Sequence, residues 1–564
     1  MLRPAATVAP APARRLRPRA RWLAPLLALA CDLSNEGRSP PVDGIFFPSG
    51  LLLDPRAAPG EPARYLFVAN GNNDLSYNSG TLAAIDLDAF FASWSIPGTY
   101  AVDPYCRDDV EPATQSVWDH PRCIGEVGSG VTPVAPCRRL SLLPQVVECD
   151  ETPFIGPLRR LEGQGAQEFG VGDDSVVALG DFATLLTSSC EDEQPSADGR
   201  CASPRIWVPV RGDPSITWID VHGAPDEPPV LDCGQNQPNP DKRGAIDPRC
   251  DHAHRLTHLR NDADLGDVPR EPFNVLISPS HRYGYVAHSD GGKLSLIALD
   301  GVGDGVPAVV DTPGVFGNSF GFGGGFGLAE RPCDADGRPP SITLDCVRPL
   351  VYASNRYQPL LVSFTAQGIE LDPEDPTHSC AGPDEVGEHG KIACDPRIRS
   401  EQTIFPGGLD PSASSSAPVL GDIAFSDASG DQLLVVQTGP GALLRINTAI
   451  GPSGEPFDTP SGPPLELCEE PTRMKLFEDG GKRFALISCF RAALIYIVDL
   501  QGFRVVDAIV AGTGPYELVV DQPRRLLYVA NNLEGSISVI DLAGDRPTRF
   551  REIARIGLQE PFSR

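Results

Sequence analysis

The sequence predicts an all-β protein, a seven-bladed β-propeller of four-stranded blades. Two observations predict this fold: a hairpin pattern recurs along the chain, and its last two copies lie 42 residues apart, from Leu486 to Tyr528, which is room for four short strands. In the last copy, Tyr528–Leu542, the runs YVA and SISVIDL flank a turn of small and polar residues. Runs rich in β-branched residues on both sides of such a turn are typical of a β-hairpin.

Seven hairpins share this pattern, at residues 65–87, 207–221, 285–299, 351–364, 433–447, 484–500 and 528–542. A third apolar run precedes most of them, as FATLL at 182–186, NVLIS at 274–278, IAFS at 423–426, MKLFE at 474–478 and ELVVD at 517–521. A fourth run follows some, as at 503–512. The C-terminal segment, residues 551–558, aligns with that fourth run. Because propellers often close by lending a terminal strand to the first blade, we expect this segment to complete blade 1.

The N-terminal residues 1–30 predict a signal peptide, since they hold six arginines, no acid and a short apolar run. Ala28-Leu29-Ala30-Cys31 resembles a lipoprotein cleavage site, and we expect a lipid on Cys31. The alternative is an ordinary signal peptide that is cleaved near Ala30. We expect a tether at 31–44 and one propeller domain at 45–558. For an insertion at about 91–168, the sequence leaves two alternatives open, an irregular eighth blade or a small subdomain.

The chain has 15 cysteines, an odd number, and Cys31 accounts for the unpaired one. The others predict local disulfides between neighbours, and hence an oxidising compartment of the cell envelope, periplasmic or on the surface. We expect the insertions that carry them to lie on one rim. The chain has no CxxC motif, so the cysteines do not indicate a zinc site. The candidate pairs are Cys106 and Cys123, Cys137 and Cys149, Cys190 and Cys201, Cys233 and Cys250, Cys333 and Cys346, Cys380 and Cys394, and Cys468 and Cys489.

The net charge of −28 argues against nucleic acid and anionic lipid surfaces as partners, because both require basic stripes. It permits cationic partners or divalent ions at most. Apart from a lipid anchor, we therefore expect no contact with a membrane.

Three copies of one strand, YVAN at Tyr528–Asn531, YVAH at Tyr285–His288 and FVAN at Phe67–Asn70, each precede an SxSVIDL-like strand. In these residues the chain resembles the YVTN β-propeller repeat family over most of residues 44–558. The resemblance implies an exported seven-bladed propeller, and members are often surface proteins, lipoproteins or binding modules. Related propellers include lactonases and the large subunits of amine dehydrogenases. The chain departs from the family in its long cysteine-bearing insertions and in degenerate blades such as 433–447.

Three histidines, His252, His254 and His258, crowd beside Asp251 with a spacing that metal sites use. No strand pattern orients them, so the sequence favours an exposed loop cluster, and we assign no metal ligand. Arg211-Gly212-Asp213 spells an integrin-binding tripeptide but occupies the turn of the second hairpin, where Gly and Asp are expected for backbone reasons.

Other short motifs are also explained by turns. The oxygen-rich segments 71–80 and 300–305 do not fit a twelve-residue calcium loop, and 321–327, GFGGGFG, is not a dinucleotide-binding motif and predicts a flexible rim loop. The acids Asp173 and Asp174 are adjacent, so on a strand they would point to opposite faces. HExxH, GxSxG and P-loop motifs do not occur. We therefore assign no catalytic residue and no cofactor.

The sequence favours a non-catalytic cell-envelope lipoprotein, a monomer whose propeller serves as a scaffold that binds a protein, glycan or peptide. An alternative is a periplasmic, lactonase-like hydrolase with its site in the propeller channel. A third hypothesis, an oxidoreductase subunit that supports a quinone cofactor, has no specific residue in its favour.

Overall fold

Seven antiparallel sheets follow one another along the chain, each with four strands in chain order. The computed structural model describes residues 40–41, 43–93, 137–139, 146–155, 175–191, 199–235, 237–238, 246–247, 249–279, 283–299, 306–316, 323–332, 350–369, 395–406, 419–453 and 455–558. The predicted seven-bladed, all-β propeller is confirmed.

The first two blades have short outer strands of four and three residues. Blade 1 contains β1 (Pro48–Leu53), β2 (Tyr65–Asn70), β3 (Gly80–Asp86) and β6 (Val176–Leu179). The helix α1 (Leu87–Ser93) and the hairpin strands β4 (Cys137–Arg139) and β5 (Val147–Cys149) lie between β3 and β6. Blade 2 contains β7 (Thr187–Cys190), β8 (Pro204–Val210), β9 (Ser215–His222) and β10 (Val230–Asp232).

The connection from blade 2 to blade 3 has short elements of its own. It holds β11 (Gln237–Pro238), β12 (Ile246–Asp247), β13 (Arg255–Leu256), which pairs with β9, and a 3-10 turn (Ala263–Leu265). Blade 3 contains β14 (Pro272–Ile277), β15 (Tyr283–His288), β16 (Leu294–Ala298) and β17 (Ala308–Asp311). Blade 4 contains β18 (Gly325–Glu330), β19 (Leu350–Asn355), β20 (Leu361–Ile369) and β21 (Asp395–Ile404).

The last three blades hold the longest inner hairpins. Blade 5 contains β22 (Val419–Phe425), β23 (Gln432–Gly439), β24 (Ala442–Asn447) and β25 (Thr459–Pro460), with β26 (Leu465–Glu466) also paired to β24. Blade 6 contains β27 (Pro471–Asp479), β28 (Lys482–Cys489), β29 (Leu494–Asp499) and β30 (Arg504–Val510). Blade 7 contains β31 (Pro515–Asp521), β32 (Leu526–Asn531), β33 (Ser536–Asp541) and β34 (Arg551–Ile556). None of the helical segments in the described residues is long and apolar enough to cross a membrane.

The seven predicted hairpins are the second and third strands of the seven blades. In each blade the first strand is innermost, because first strands of neighbouring blades contact one another around the ring. Apolar side chains fill each of the seven blade-to-blade boundaries, and the cluster between blades 1 and 7 includes Leu66, Val68 and Tyr528. The core is therefore a ring of separate interfaces, six of them between consecutive blades and one that closes the circle.

A circle of side-chain hydrogen bonds to backbone oxygens links the same boundaries. Each bond runs from one blade to the next, and a bond from blade 7 to blade 1 completes the circle. The donors and acceptors are Ser49 to Ala183 (2.6 Å), Thr184 to Phe273 (2.8 Å), Asn274 to Phe326 (2.9 Å), Ser354 to Gly421 (2.6 Å), Thr438 to Pro471 (2.9 Å), Ser488 to Tyr516 (3.0 Å) and Asn532 to Pro48 (3.1 Å).

The prediction that residues 551–558 complete blade 1 is wrong. β34 pairs with β33 and is the fourth strand of its own blade, while β6 fills the fourth position of blade 1. The connection from β33 to β34 is short, so the local pairing closes a small loop and costs less chain entropy than a pairing with a distant blade.

A hairpin from the insertion of blade 1 fastens the ring at its outer edge. β4 and β5 pair with each other, and β5 pairs in parallel with β34 of blade 7. The sheet of blade 7 thus has six strands. Within the described part of the insertion, these residues extend an existing blade and form no eighth one.

Two local predictions differ from the structure. The run FATLL makes a single bridge, at Ala183 to Val210, and the inner strand of blade 2 then resumes as β7 from Thr187. The end of GFGGGFG is not a rim loop, because Gly325–Gly327 begin the inner strand β18. A Cβ on Gly327 would lie 2.9 Å from the backbone nitrogen of Ile423, so this glycine permits close contact with blade 5.

Strand alternation gives the ring two faces. Turns between second and third strands and connections between blades emerge on one face, which we call the upper face, and the other connections emerge on the lower face. Cys190–Cys201 lies between β7 and β8 on the lower side, whereas Cys233–Cys250 follows β10 in a blade-to-blade connection. The expectation that the disulfides lie on one rim is therefore wrong.

Candidate functional site

The upper mouth of the central channel is where side chains from several blades meet. Each first strand starts there, and in blades 3 to 7 the residue before its first core position lies at a break in strand register. In blades 5, 6 and 7 that residue is charged: Asp422, Arg473 and Glu517. In blades 3 and 4 it is uncharged, Asn274 and Gly327, and aromatic residues stand directly before it, Phe273 and Phe326.

Arg473 closes this mouth. Its guanidinium lies 4.3 Å from the ring centre of Phe326, 5.1 Å from that of Phe273 and 5.2 Å from that of Tyr516. Its Nη2 donates to the Tyr516 hydroxyl at 3.2 Å. The side chain is 1% exposed, although it crosses from blade 6 to blades 3 and 4. Each cation–π contact of a desolvated guanidinium contributes on the order of 2 kcal/mol, so this cluster stabilises contact between opposite sides of the ring.

Acidic groups balance the buried charge. Nε of Arg473 lies 3.6 Å from Oε2 of Glu517, and Nη1 lies 4.0 Å from Oδ1 of Asp422. Burial opposes the charged guanidinium, but Tyr516 and these two carboxylates outweigh it and raise the pKa of Arg473. Asp422 also accepts a hydrogen bond from the backbone nitrogen of Met474 at 3.1 Å, which ties blade 5 to blade 6.

Lys475 continues the charged series two residues along the same strand. Its Nζ lies 3.0 Å from Oε1 of Glu517, and its side chain is 42% exposed. Desolvation opposes the ammonium, but Glu517 and Asp422 outweigh it and raise the pKa of Lys475. The lysine is therefore a cation at neutral pH and not a general base.

Two further arginines surround the closed mouth. Arg356, on the turn after β19, lies 5.3 Å from the ring of Phe326, and Arg211, on the turn after β8, lies 5.7 Å from the ring of Phe273. Arg211 forms an ion pair with Glu271. Arg356 is exposed and has no carboxylate partner among the residues that the structure describes. The upper face therefore has an aromatic centre surrounded by arginines, of which Arg356 has no carboxylate partner among the described residues.

The structure brings together four of the predicted disulfides and tests no other cysteine prediction. Cys137–Cys149, Cys190–Cys201, Cys233–Cys250 and Cys468–Cys489 are bonded. The remaining positions lie outside the described residues, and so do Asp173, Asp174, the segment 300–305 and the lipid-attachment candidate. Those cysteines are Cys31, Cys106, Cys123, Cys333, Cys346, Cys380 and Cys394.

The three histidines do not converge. His254 packs on Trp218 at 4.0 Å between ring centres and bonds Asp251 at 2.8 Å, whereas His258 faces Asp267 at 3.0 Å. His252 is exposed. No group of three metal-ligating side chains occurs within the part of the chain that the structure covers.

The Arg211-Gly212-Asp213 tripeptide is a blade turn, as predicted. Arg211 binds Glu271, and Asp213 binds Arg255 in an intramolecular ion pair. In the segment 71–80, Asn72 bonds Asp181 at 2.7 Å and the backbone of Tyr77, which is also turn chemistry.

Sequence reasoning missed Arg473, Phe273, Phe326 and Tyr516. Each stands just before one of the inner-strand runs NVLIS, MKLFE and ELVVD or within GFGGGFG, so an alignment of the inner strands would have placed them at one level of the channel.

No family model and no curated protein matches this chain. Three solved structures are similar in fold. The dihydro-heme d1 dehydrogenase NirN in complex with DHE is 12% identical, with 66% of this chain covered, 56% of that chain spanned and a TM-score of 0.34. The periplasmic gluconolactonase PpgL of Pseudomonas aeruginosa is 15% identical, and the match covers 83% of this chain and 87% of that chain with a TM-score of 0.39. Hydrazine synthase of Kuenenia stuttgartiensis is 11% identical, with coverages of 91% and 99% and a TM-score of 0.43. At this level of similarity they assign no activity to the chain.

Proposed function

We propose that this propeller is a non-catalytic binding scaffold that presents its upper face to a partner protein, glycan or peptide. One observation carries the proposal: Arg473 of blade 6 reaches across the upper mouth of the channel, and its guanidinium contacts the rings of Phe273, Phe326 and Tyr516. Among the described residues, a partner that approaches this mouth meets the buried guanidinium of Arg473 and the aromatic rings that contact it. The charged groups beneath it are paired with each other, which suits a structural role.

The surface around the mouth has the composition of a binding face. Arg356 and Tyr357 are exposed on one turn, and Leu75 and Leu533 are exposed on the turns of blades 1 and 7. Arginine and tyrosine are enriched in protein interfaces, and a rigid ring loses little entropy when it binds.

The location that we propose is the cell envelope, with lipid on Cys31 after removal of residues 1–30, a tether at 31–44 and the propeller at 45–558 as a monomer. Four disulfides support an oxidising compartment. Intact mass of the mature protein tests the anchor, because diacylation adds the mass of two acyl chains to a chain that begins at Cys31. A mature N-terminus without lipid would contradict it.

Charge reversal on the two faces tests the binding surface. Arg356→Glu on the upper face and Lys482→Glu on the lower face make the same change in net charge, and both side chains are exposed. We expect Arg356→Glu to lower the recovery of partners captured from solubilised envelope at least tenfold and Lys482→Glu to leave it unchanged. Equal recovery by both variants would contradict the role of the upper face.

The alternative, a lactonase-like hydrolase, has one observation in its favour, which is that Lys475, Asp422 and Glu517 converge on the channel. A hydrolysis screen over lactones and esters distinguishes the two functions. We expect no turnover. Turnover that disappears in Glu517→Gln, while the variant stays folded, would replace the scaffold with the hydrolase.

A further inference from the structure

A cavity of about 460 Å³ opens on the upper face between blades 2 and 3. The turn after β8 contributes Pro214, the turn after β15 contributes Asp290, Gly291 and Lys293, and the connection into β14 contributes the remaining walls. Cavities of this size hold small ligands in other proteins. It lies beside the turn that carries Arg211, and its lining includes neither Arg473 nor the rings that contact it.

Two cations line this cavity and form no ion pair within the described residues, although two carboxylates, Asp267 and Asp290, line it as well. Arg270 and Lys293 are both exposed, and neither has an ion-pair partner within the residues described. The two cations can receive a negatively charged group of a ligand, while the two carboxylates require hydrogen-bond donors on the same ligand.

The backbone beneath the cavity is fixed. Nδ1 of the buried His288 donates to the backbone oxygen of Arg270 at 3.1 Å, and its Nε2 accepts from the Ser295 hydroxyl at 2.7 Å. The backbone nitrogen of Val268 donates to Thr257 at 2.8 Å. Because the backbone of Arg270 is held, its side chain starts from a defined position when it meets a ligand.

The other lining groups favour a ligand that carries hydroxyls as well as a negative charge. The carboxylates of Asp267 and Asp290 accept hydrogen bonds from alcohols, and Nδ1 of His258 lies 3.0 Å from Asp267 without the alignment of a hydrogen bond. Pro214, Val268 and Pro269 give apolar walls for C–H groups. A ligand that carries only negative charge would be repelled by the two acids. A ligand with one carboxylate and several hydroxyls on each ring can place a carboxylate on the cations and its hydroxyls on the acids.

We propose that this cavity binds a sugar acid, with the ligand carboxylate on Arg270 and Lys293 and its hydroxyls on Asp267 and Asp290. The inference rests on the proposed function in one respect, which is that the ligand is held and not converted. It adds the class of ligand that the upper face recognises.

Calorimetric titration of the full mature chain with digalacturonate tests the site. Galactobiose is the neutral counterpart of the same size, and the dipeptide Glu-Glu carries carboxylates without sugar hydroxyls. We expect digalacturonate to bind and the other two to bind at least tenfold more weakly. Arg270→Gln and Lys293→Gln should each weaken digalacturonate about tenfold, whereas Lys482→Gln on the lower face should have no effect. Equal melting temperatures show that the variants are folded.

Absence of digalacturonate binding, equal binding of galactobiose or Glu-Glu, or unchanged affinity in both cavity variants would overturn the proposal. These outcomes leave the scaffold function intact, because capture that depends on Arg356 does not require the cavity. Chromatography of the ligand after titration tests whether it is cleaved. If digalacturonate binds through Arg270 and Lys293 but is recovered cleaved, the binding site would be confirmed and the proposed non-catalytic function would be wrong.

Discussion

The side-chain amide of Asn532 donates a hydrogen bond to the backbone oxygen of Pro48 at 3.1 Å, and this bond joins the last blade to the first. Six equivalent bonds join consecutive blades, so the ring is closed at every boundary by the same device. At the boundary between blades 7 and 1 no short connection holds the two sheets side by side. The hydrogen bond there therefore resists separation together with the apolar cluster, the pairing of β5 with β34 and the ion pair of Arg524 with Asp88.

Asn532→Ala should destabilise the protein by about 1–2 kcal/mol, since it leaves a buried acceptor on Pro48 unpaired. Urea unfolding measures the loss. Ser488→Ala is the control at a boundary that the chain itself connects, between blades 6 and 7, and its hydroxyl bonds Tyr516 at 3.0 Å. We expect exchange of the β1 and β31 amides to rise in Asn532→Ala only. Similar exchange in both variants would contradict a special role of the closing boundary.

The disulfide Cys137–Cys149 fastens the outer hairpin that covers β34. Replacement of both cysteines by serine should lower stability by about 2–4 kcal/mol and speed hydrogen exchange at residues 551–556. Cys190–Cys201, with a sequence separation of 11 against 12, is a matched control within one blade. Its removal should lower stability by a similar amount and leave exchange at β34 unchanged. Protection of β34 in both double variants would show that the hairpin does not depend on its disulfide.

The hairpins were predictable because their two strands are neighbours in sequence, joined by turns such as Asn531–Gly535. The number of blades followed from counting them. The partner of β34 was predicted wrongly, since its sequence fits an outer strand equally well in blade 1 or blade 7. The chain returns to blade 1 at Val176 and supplies its fourth strand, β6, so β34 pairs within its own blade. Pairing of β5 with β34 spans most of the chain and has no local signal.

The candidate site was harder to predict than the scaffold. Each blade supplies one or two residues to it, such as Phe273, Phe326 and Arg473, and none of them forms a motif with its sequence neighbours. The histidine cluster shows the opposite case: proximity in sequence suggested a site, but His254 and His258 turn to different partners.

Arg473→Met should lower stability by about 3 kcal/mol, because Asp422 would lose its buried cation and Glu517 would keep only Lys475 as an ion-pair partner. Arg473→Lys is the control, since it retains the charge but loses the planar contact with Phe273 and Phe326. We expect a smaller loss for the lysine variant in urea unfolding at pH 7. Equal stability of Arg473→Met and the wild type would show that the aromatic rings, and not the charge, hold the mouth closed.

The buried His288 should make stability depend on pH. It stands where blades 1 and 7 have Asn70 and Asn531, and like them it bonds a hydroxyl on the next strand. Burial lowers its pKa from 6.5 to about 4. Between these values the unfolded chain binds a proton that the folded chain does not, so the contribution of His288 is complete above pH 6.5 and is lost as pH falls towards 4. The loss is about 3 kcal/mol, since each unit of pKa shift corresponds to about 1.36 kcal/mol.

His288→Asn can retain the bond to Ser295 and has no proton to gain, so its stability relative to wild type should rise by that amount between pH 7 and pH 4 in urea unfolding. A constant difference across this range would show that the folded and unfolded chains bind the proton of His288 equally, so that burial does not lower its pKa.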